Sequence, residues 1–146
     1  MNERYIRQTM IPEIGEAGQE KLKNAKVLIV GIGGLGSPIS LYLTAAGVGQ
    51  IGLIDDDIVS RSNLQRQILY TEAEIGQSKV ECACRRLSAL NSSTRFETYL
   101  NRFTSDNADR LVSAYDIIID GCDNAATRYL IDDICSRFKK PYVYGS

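Results

Sequence analysis

The chain has 146 residues, of which 44% are hydrophobic and 24% are charged, and its formal net charge is -1. These values are typical of one globular domain with one core. The nearly balanced charge argues against a protein that binds nucleic acid or a membrane surface through a large excess of basic residues. No stretch approaches the ~20 apolar residues of a membrane span, and the charges near the N-terminus are unlike a signal peptide. We therefore expect a cytoplasmic protein with no nucleic-acid or membrane partner.

The residue types that are rare or missing limit the chemistry. There is no histidine, so no imidazole base or imidazole metal ligand is available. The four cysteines form no C-x-x-C pair. Cys82 and Cys84 are two positions apart on a predicted helix, so they point to different faces and cannot hold one metal together. We expect free thiols in a reducing compartment and no zinc site in this chain.

The N-terminal segment is polar, with spaced apolar positions and a short predicted helix that ends near Asn24. We assign residues 1–24 to an N-terminal helical arm and residues 25–146 to the main domain. Arg7 lies in the arm, ahead of the first strand. From composition alone, an arginine in such a segment is expected to be a solvated surface residue.

A strand at 26–31, a glycine turn, a helix at 35–47 and a second strand at 50–55 follow. Glycines let a backbone approach a phosphate, and the start of the following helix offers free N–H groups. Asp55, at the tip of the second strand, comes 19 residues after the last glycine of the turn, close to the ~20 at which an acid takes a ribose hydroxyl. The pattern predicts a nucleotide site. The turn contains Gly31, Gly33, Gly34 and Gly36.

The remaining chain continues the alternation of helices and strands. A donor-rich loop at 56–75 is followed by predicted elements at 76–91 (helix), 94–100 (strand), 104–113 (helix), 115–120 (strand), 125–139 (helix) and 141–144 (strand). This order predicts a Rossmann-like, doubly wound, mainly parallel sheet with helices on both faces. Ligands in such folds bind beyond the carboxyl ends of the strands. The glycine turn, Asp55–Asp57 and Asp120–Asn124 all fall there.

Lys79 lies in the first turn of its predicted helix, where a cation opposes the helix dipole. Either an anion compensates for its charge or the side chain is solvated, and both readings stay open. The glycine turn and Asp55 alone would favour an NAD-dependent oxidoreductase domain.

The loop after the second strand adds the string Ser62-Asn63-Leu64-Gln65-Arg66-Gln67. With this string the chain resembles the ThiF, MoeB and HesA adenylyltransferases, which share their nucleotide-binding half with the ubiquitin-activating enzymes. The thiamine branch of the family is slightly closer, through the Asp-Asp-Asp run and Gln67-Ile68-Leu69. The resemblance covers essentially the whole chain, through Arg4-Tyr5-x-Arg7-Gln8, the glycine turn, Asp55-Asp56-Asp57, the Ser62–Gln67 string, Lys79 and Asp123-Asn124.

The resemblance implies ATP-dependent adenylation of the C-terminal Gly-Gly carboxylate of a ubiquitin-like sulfur-carrier protein, similar to ThiS or MoaD. The products would be an acyl-adenylate and pyrophosphate, in thiamine or molybdopterin biosynthesis or a related sulfur transfer. ATP and Mg²⁺ are the implied cofactors. A carboxylate is already an anion at pH 7, so the lack of histidine is no obstacle. The task instead needs preorganised cations and a metal ion.

The resemblance also implies roles for single residues. Asp55 would hold the ribose, Asn63 and Arg66 would reach the phosphates, and Lys79 would supply a compact positive charge. Asp123 would hold Mg²⁺ beside the α-phosphate, with Asp57 a weaker metal or ribose candidate. Arg7 would reach into a neighbouring subunit's site, which makes a homodimer functional. The implied catalytic residues are Arg7, Arg66, Lys79 and Asp123. The implied ATP contacts are Gly31, Gly33, Gly34, Gly36, Asp55, Asp57, Ser62, Asn63, Leu64, Gln65, Arg66, Lys79, Asp123 and Asn124.

The chain departs from the family pattern in two ways. Cys122 is shifted by one place in the Gly-Cys-Asp-Asn string after the fourth strand, and we do not expect it to be a nucleophile. Family members also continue beyond a position such as Ser146, often with two C-x-x-C zinc pairs. We therefore expect the N-terminal part of a larger adenylation domain, truncated after the fifth strand, which would be an exposed edge. Zinc would enter only with such a C-terminal half.

Two alternatives to an active adenylyltransferase stay open. An NAD-dependent oxidoreductase domain has no use for Ser62–Gln67 or Lys79. A non-catalytic partner subunit or fragment of the same family would explain the missing half. It would not explain why the four implied catalytic residues are all present.

Overall fold

The structure is a computed structural model that describes residues 3–145. Within them, the five strands are β1 (Lys26–Val30), β2 (Gln50–Ile54), β3 (Arg95–Tyr99), β4 (Ile117–Asp120) and β5 (Tyr142–Tyr144). The α-helices are α1 (Ile6–Thr9), α2 (Gly15–Asn24), α3 (Gly36–Ala46), α4 (Lys79–Leu90), α5 (Ser105–Ala114) and α6 (Ala125–Phe138). Short 3-10 helices cover Glu3–Tyr5, Arg61–Asn63 and Glu72–Glu74.

The strands form one parallel sheet in the order β3-β2-β1-β4-β5. The predicted Rossmann-like, doubly wound fold is therefore confirmed. Val30 pairs in register with Ile54 on one side and Asp120 on the other, so three strands end at one level. The strand order reverses between β1 and β4, and this switch point opens a crevice beyond the carboxyl ends of the strands. Among the described residues, β5 is an edge strand, as expected.

The two faces of the sheet carry separate apolar cores. Successive side chains of a strand point to opposite faces. Val27 and Ile29 therefore join one cluster, with Val80 and Leu87 of α4, while Leu28 and Val30 join the other. The second cluster is completed by residues of α5 and α6, among them Leu111, Val112, Ile131 and Ile134. Helices thus cover both faces, and the rigid sheet between them fixes the positions of the loops at its carboxyl edge.

The described part of the N-terminal segment packs at the amino ends of the strands. Tyr5 is buried beside Gly47, whose backbone φ of 90° would strain any other residue. A Cβ at Gly47 would lie 2.6 Å from the Tyr5 ring. Gln8 and Gln19 both donate to the carbonyl of Ala46 at the end of α3. The division into an arm and a main domain stays a prediction, and Met1, Asn2 and Ser146 lie outside the described residues.

None of the helices in the described part of the chain combines the length and apolar composition needed to cross a bilayer.

Candidate functional site

A cleft of about 810 Å³ opens at the carboxyl ends of the strands. It brings together the segments that the sequence places there, and it adds the loop after β3. Its walls include Gly31, Gly33, Gly34, Asp55, Asp56, Asp57, Asn63, Arg66, Gln67, Lys79, Asn101, Arg102, Phe103, Cys122, Asp123, Asn124 and Arg128.

The glycine turn forms the inner wall of the cleft. Gly31 has a φ of 88°, a region that side chains disfavour, and a Cβ at Gly36 would lie 2.1 Å from the Gly31 carbonyl oxygen. These two glycines therefore close the turn tightly against the start of α3. Among residues 3–145, the N–H groups of Gly33 and Gly34 donate to no protein atom. They are left for an anionic ligand, which the adjacent helix N-terminus also favours.

The backbone of Ile32 is held on both sides of its Cα. Its N–H donates to Asp55 Oδ2 at 2.8 Å, and its carbonyl accepts from the Tyr70 hydroxyl at 2.6 Å. Burial, and then the charge of Asp55, raise the pKa of Tyr70 above its ordinary value, so the phenol stays protonated as a donor. Asp55 Oδ1 accepts the N–H of Asp57 at 2.9 Å. In this structure, Asp55 therefore holds the glycine turn in place. Its binding of a ribose stays a prediction.

Asn63 and Arg66 face the turn from the loop after β2. Ser60 is the N-cap of the 3-10 helix at Arg61–Asn63, and Asn63 completes the capping box because its Oδ1 accepts the N–H of Ser60 at 3.3 Å. Arg66 donates to the Ser62 carbonyl at 3.3 Å. Its aliphatic stem lies against the turn, because a Cβ at Gly34 would be 3.5 Å from Arg66 Cδ. Cap and stem together position a planar guanidinium beside the free N–H groups.

Four other residues predicted as ATP contacts do not line the cleft. Ser62 is exposed, with its hydroxyl 3.0 Å from that of Ser60. Leu64 packs partly buried against the core, because it is the apolar residue of a polar loop. Gln65 is exposed and Gly36 is buried at the start of α3. Their contacts with a nucleotide remain predictions.

Lys79 is 4% exposed, which excludes the reading of a solvated surface lysine. Its Nζ donates to Asp57 Oδ2 at 3.0 Å, and its backbone N–H donates to the Asp57 carbonyl at 3.1 Å. Because the Asp57 side chain is 68% exposed, the pair sits where the cleft meets the core. The carboxylate supplies the compensating charge that a lysine in the first turn of a helix needs. The metal or ribose role of Asp57 stays a prediction.

The loop after β4 forms the opposite wall. The fully buried Asp120 accepts from the backbone N–H of Cys122 at 3.0 Å and from its thiol at 2.8 Å. Burial, and then this hydrogen bond, raise the pKa of the Cys122 thiol, which favours a neutral donor over a nucleophile. Asp123 is exposed in the cleft. Asn124 caps α6 by accepting the N–H of Thr127 at 3.2 Å, so the positive end of this helix also faces the cleft.

Arg128, Gln67 and Tyr70 could not be assigned a role from the sequence; the first two line the cleft, and Tyr70 is buried. Arg128 donates to the carbonyls of Cys122 and Gly145 at 2.8 and 3.0 Å and to the Tyr144 hydroxyl at 2.6 Å. It thereby ties the Asp123 loop to the end of β5. Gln67 and Tyr70 likewise gave no functional signal, although Gln67 belongs to the donor-rich string that carried the resemblance. In the sequence, Arg128 is simply a charged residue in the first turn of an amphipathic helix, which does not indicate a role.

One group of three acidic residues could hold a metal in the described part of the chain. The carboxylates of Asp55, Asp56 and Asp57 lie within 4.8 Å of one another. Each is already engaged: Asp55 with backbone N–H groups, Asp56 with Arg102 and Asp57 with Lys79. Asp123, the predicted Mg²⁺ ligand, lies outside this group and makes no ion pair among residues 3–145. Its exposed carboxylate is the hard oxygen donor that Mg²⁺ prefers.

Arg7 does not line the cleft. It is exposed on α1, and the neighbouring Gln8 is bonded to Ala46 at the opposite, amino edge of the sheet. The side chain is therefore remote from the cleft of its own chain. Its predicted action within another subunit's site is not tested by a single chain.

The sheet order, the glycine turn at the switch point and the cleft beyond it define a Rossmann-like α/β domain. The ThiF family model matches residues 5–146. The chain belongs to the ThiF family, which confirms the resemblance seen in its motifs.

Named relatives agree with this family assignment. "Adenylyltransferase and sulfurtransferase MOCS3" of Culex quinquefasciatus is 52% identical over 98% of this chain and 33% of its own length. "Sulfur carrier protein adenylyltransferase" of Thermus thermophilus is 47% identical over 99% of this chain and 53% of its own. The chain thus spans between a third and about half of the length of these relatives. Neither name refers to thiamine, so the slightly closer match to that branch gains no support from them.

A solved structure of E. coli tRNA N6-threonylcarbamoyladenosine dehydratase, TcdA, in complex with ATP superposes with a TM-score of 0.90. It is 30% identical in sequence, and the match covers 97% of this chain and 58% of that one. A protein with this fold and a similar sequence therefore binds ATP.

Proposed function

We propose that this chain carries the ATP-binding site of an adenylyltransferase that activates the C-terminal carboxylate of a ubiquitin-like sulfur-carrier protein. The observation that carries the proposal is the convergence of three cationic or N–H-donating groups on one cleft. These are the unpaired N–H groups of the glycine turn, the Arg66 guanidinium and the buried Lys79. Donors of this kind suit a triphosphate, whose oxygens are anionic acceptors. A hydride-transferring domain needs only the turn and an acid at Asp55.

In the proposed reaction, a carboxylate oxygen of the carrier attacks the α-phosphorus of ATP. A bond forms between them as the bond from the α-phosphorus to the bridging oxygen breaks, and pyrophosphate leaves with the electron pair. No proton is transferred, which suits a chain without histidine. The N–H groups of Gly33 and Gly34 bind phosphate oxygens, while Arg66 and Lys79 offset the negative charge brought together by the two reactants.

Asp123 would hold Mg²⁺ beside the α-phosphate, and Asn124 would fix that loop as the cap of α6. When bound, the metal ion supplies Lewis-acid stabilisation of the phosphate oxygens. Arg128 positions the same loop through the Cys122 carbonyl. Asp55 would accept a ribose hydroxyl through its remaining lone pairs.

The sulfur-carrier substrate is supported by relatives at 47 and 52% identity whose names refer to sulfur transfer or sulfur carriers. The tRNA-modifying protein is more distant, at 30%. A Gly-Gly terminus, a place in molybdopterin or thiamine synthesis and a cytoplasmic location are parts of the proposal. So is a homodimer in which Arg7 completes the partner's cleft. Such a dimer would explain why an arginine of the family motif lies at the far edge of its own sheet.

The first test is calorimetric titration of the chain with Mg-ATP and, separately, with NAD. We expect ATP to bind and NAD not to bind. Arg66→Ala should weaken ATP strongly, because it removes a bidentate phosphate donor. Arg61→Ala is the matched control, since Arg61 is in the same loop but pairs with Glu72 outside the cleft. ATP–pyrophosphate exchange with a Gly-Gly-ending carrier then tests the chemistry, with Arg66→Ala expected to abolish it.

Binding of NAD without ATP would overturn the proposal in favour of an oxidoreductase domain. Tight ATP binding without any exchange would instead favour the non-catalytic member of the family. Equal losses in Arg66→Ala and Arg61→Ala would remove the phosphate role of Arg66.

A further inference from the structure

Gln67 is a buried polar residue whose side-chain amide makes no hydrogen bond to the part of the chain that the structure describes. It is 4% exposed, and its Oε1 is enclosed without a hydrogen-bond partner among the described residues. Buried polar atoms are almost always paired, since leaving one unpaired costs roughly 1–3 kcal/mol. Its Nε2 also makes no hydrogen bond within residues 3–145, so the amide keeps N–H groups that a ligand in the cleft can use.

The position of this amide points to the ligand. Gln67 lines the cleft directly beneath the glycine turn, and a Cβ at Gly33 would lie 3.4 Å from its Nε2. Arg66, the preceding residue, lies in the same way against Gly34. The amide is thus next to the unpaired N–H groups of the turn, at the part of the cleft suited to phosphate.

A second buried glutamine shows what a structural role looks like in this chain. Gln19 is 9% exposed, and both ends of its amide are bonded. Its Oε1 accepts from Gln8 at 2.7 Å and its Nε2 donates to the Ala46 carbonyl at 3.0 Å. Gln19 lies at the amino ends of the strands, far from the cleft. The two glutamines have the same chemistry and similar burial, and differ in whether the protein uses the amide.

We propose that Gln67 is a nucleotide-contacting residue whose Nε2 donates a hydrogen bond to a phosphate oxygen. This role rests on the proposed binding of ATP. Nε2 is the end of the amide that lies against the turn, and it makes no hydrogen bond to a described residue, so its N–H groups are available to the ligand. Phosphate oxygens only accept hydrogen bonds, so the amide nitrogen is the end that faces them. Gln67 thereby extends the row of donors formed by Gly33, Gly34 and Arg66.

The test replaces each glutamine by methionine, which has a similar shape and no amide. Affinities for Mg-ATP and for adenosine are measured by calorimetry, and stability by urea unfolding. We expect Gln67→Met to weaken ATP about tenfold, the loss of one hydrogen bond to a charged group, and to leave adenosine unchanged. Its urea midpoint should be equal to or higher than that of the wild type, because an unpaired buried group has been removed. Gln19→Met should lower the midpoint and leave both affinities unchanged.

The outcomes separate this inference from the proposed function. A wild-type chain that does not bind ATP fails the proposed function itself. If the wild type binds ATP and Gln67→Met binds it equally well, only the role of Gln67 is overturned. Equal losses for ATP and adenosine with a lower urea midpoint would mean a structural role and would also overturn it. If Gln67→Met does not fold, Gln67→Glu is measured instead. Its carboxylate should repel phosphate and so weaken the binding of ATP more than that of adenosine. Affinities for ATP and adenosine equal to those of the wild type would reject the contact.

Discussion

The two ends of the sheet differ in how fully their buried polar groups are paired. At the amino ends, Asn91 donates to the Tyr5 hydroxyl at 2.8 Å and to the Thr44 carbonyl at 2.9 Å, and Thr94 donates to the Val48 carbonyl at 2.9 Å. At the carboxyl ends, Gln67 Oε1 has no hydrogen-bond partner within residues 3–145. The paired groups at the amino end stabilise the fold, while an unpaired group at the carboxyl end is available to bind a ligand.

Asp120 and Arg128 extend this contrast. Asp120 Oδ2 and Arg128 Nε are both buried without a hydrogen bond in the described residues, although they face each other at 3.8 Å. They attract as charges but are too far apart to bond directly. The hydroxyl of Thr44 is an exception at the amino end, where it too is unpaired. Gln67 and Arg128 line the cleft, so their unpaired groups are better candidates for function than the Thr44 hydroxyl, which belongs to a helix packed on the core.

The largest effect on stability should come from the amino end of the sheet, where the buried polar groups are hydrogen-bonded. Asn91 is 1% exposed, so Asn91→Ala leaves the Thr44 carbonyl and the Tyr5 hydroxyl short of a donor and opens a small cavity. We expect a loss of about 3 kcal/mol in the free energy of unfolding, measured by urea titration. The affinity for Mg-ATP should stay within about twofold of the wild type. A tenfold change in affinity would show that the two ends are coupled and would break the comparison.

Lys79→Met should give the largest effect at the cleft. It removes a buried charge, keeps the aliphatic stem and leaves the Asp57 carboxylate unpaired in the cleft. We therefore expect ATP affinity to fall about 100-fold, close to 2.7 kcal/mol. Because the site of Lys79 is screened poorly by salt, the loss should persist at about 0.5 M NaCl. The matched control is Lys21→Met, an exposed lysine of α2. A loss that disappears in high salt would mean that Lys79 acts only through the long-range field.

The fold could be predicted from the sequence because its signals are local. Alternating apolar and glycine-rich segments define the strands and turns, and the order of elements then allows few topologies. The contacts that build the site are not local. Buried Lys79 is paired with Asp57, which lies 22 residues earlier in the chain. Tyr5 is held by Asn91, 86 residues away. Such pairings appear only when the sheet brings distant segments together.

The same distinction between local motifs and long-range contacts explains which residues of the site could be predicted. Asp55, Asn63 and Arg66 belong to short motifs, so the sequence alone could place them at the carboxyl edge. Gln67 sits inside one of these motifs, but its significance lies in a missing hydrogen bond. Arg128 acts through carbonyls of two separate loops, which no periodicity reveals.

Tyr70→Phe should have an intermediate effect. It removes the donor to the Ile32 carbonyl and keeps the ring, so the phosphate turn loses one of its two restraints. We expect ATP affinity to fall about tenfold and stability to fall by about 1 kcal/mol. Tyr115→Phe is the control: its hydroxyl lies 2.9 Å from that of Tyr99, away from the cleft. It should lose similar stability with no loss of affinity. Equal affinities in both variants would show that the turn is rigid without Tyr70.

The smallest effect should come from the rim of the cleft. Arg102 is 75% exposed and pairs with Asp56 at 2.8 Å, and an ion pair in solvent contributes only about 0–1 kcal/mol. Arg102→Ala should therefore leave the unfolding free energy almost unchanged. It should weaken ATP about twofold at low salt, because the freed Asp56 carboxylate repels the phosphates, and the effect should vanish at about 0.5 M NaCl. Removing Asp56 as well, in the double variant Arg102→Ala with Asp56→Ala, should restore affinity. If the loss of affinity persists at high salt and in the double variant, Arg102 binds the nucleotide directly. The rim of the cleft would then resist salt as the buried Lys79 does, and the contrast between the two positions would no longer hold.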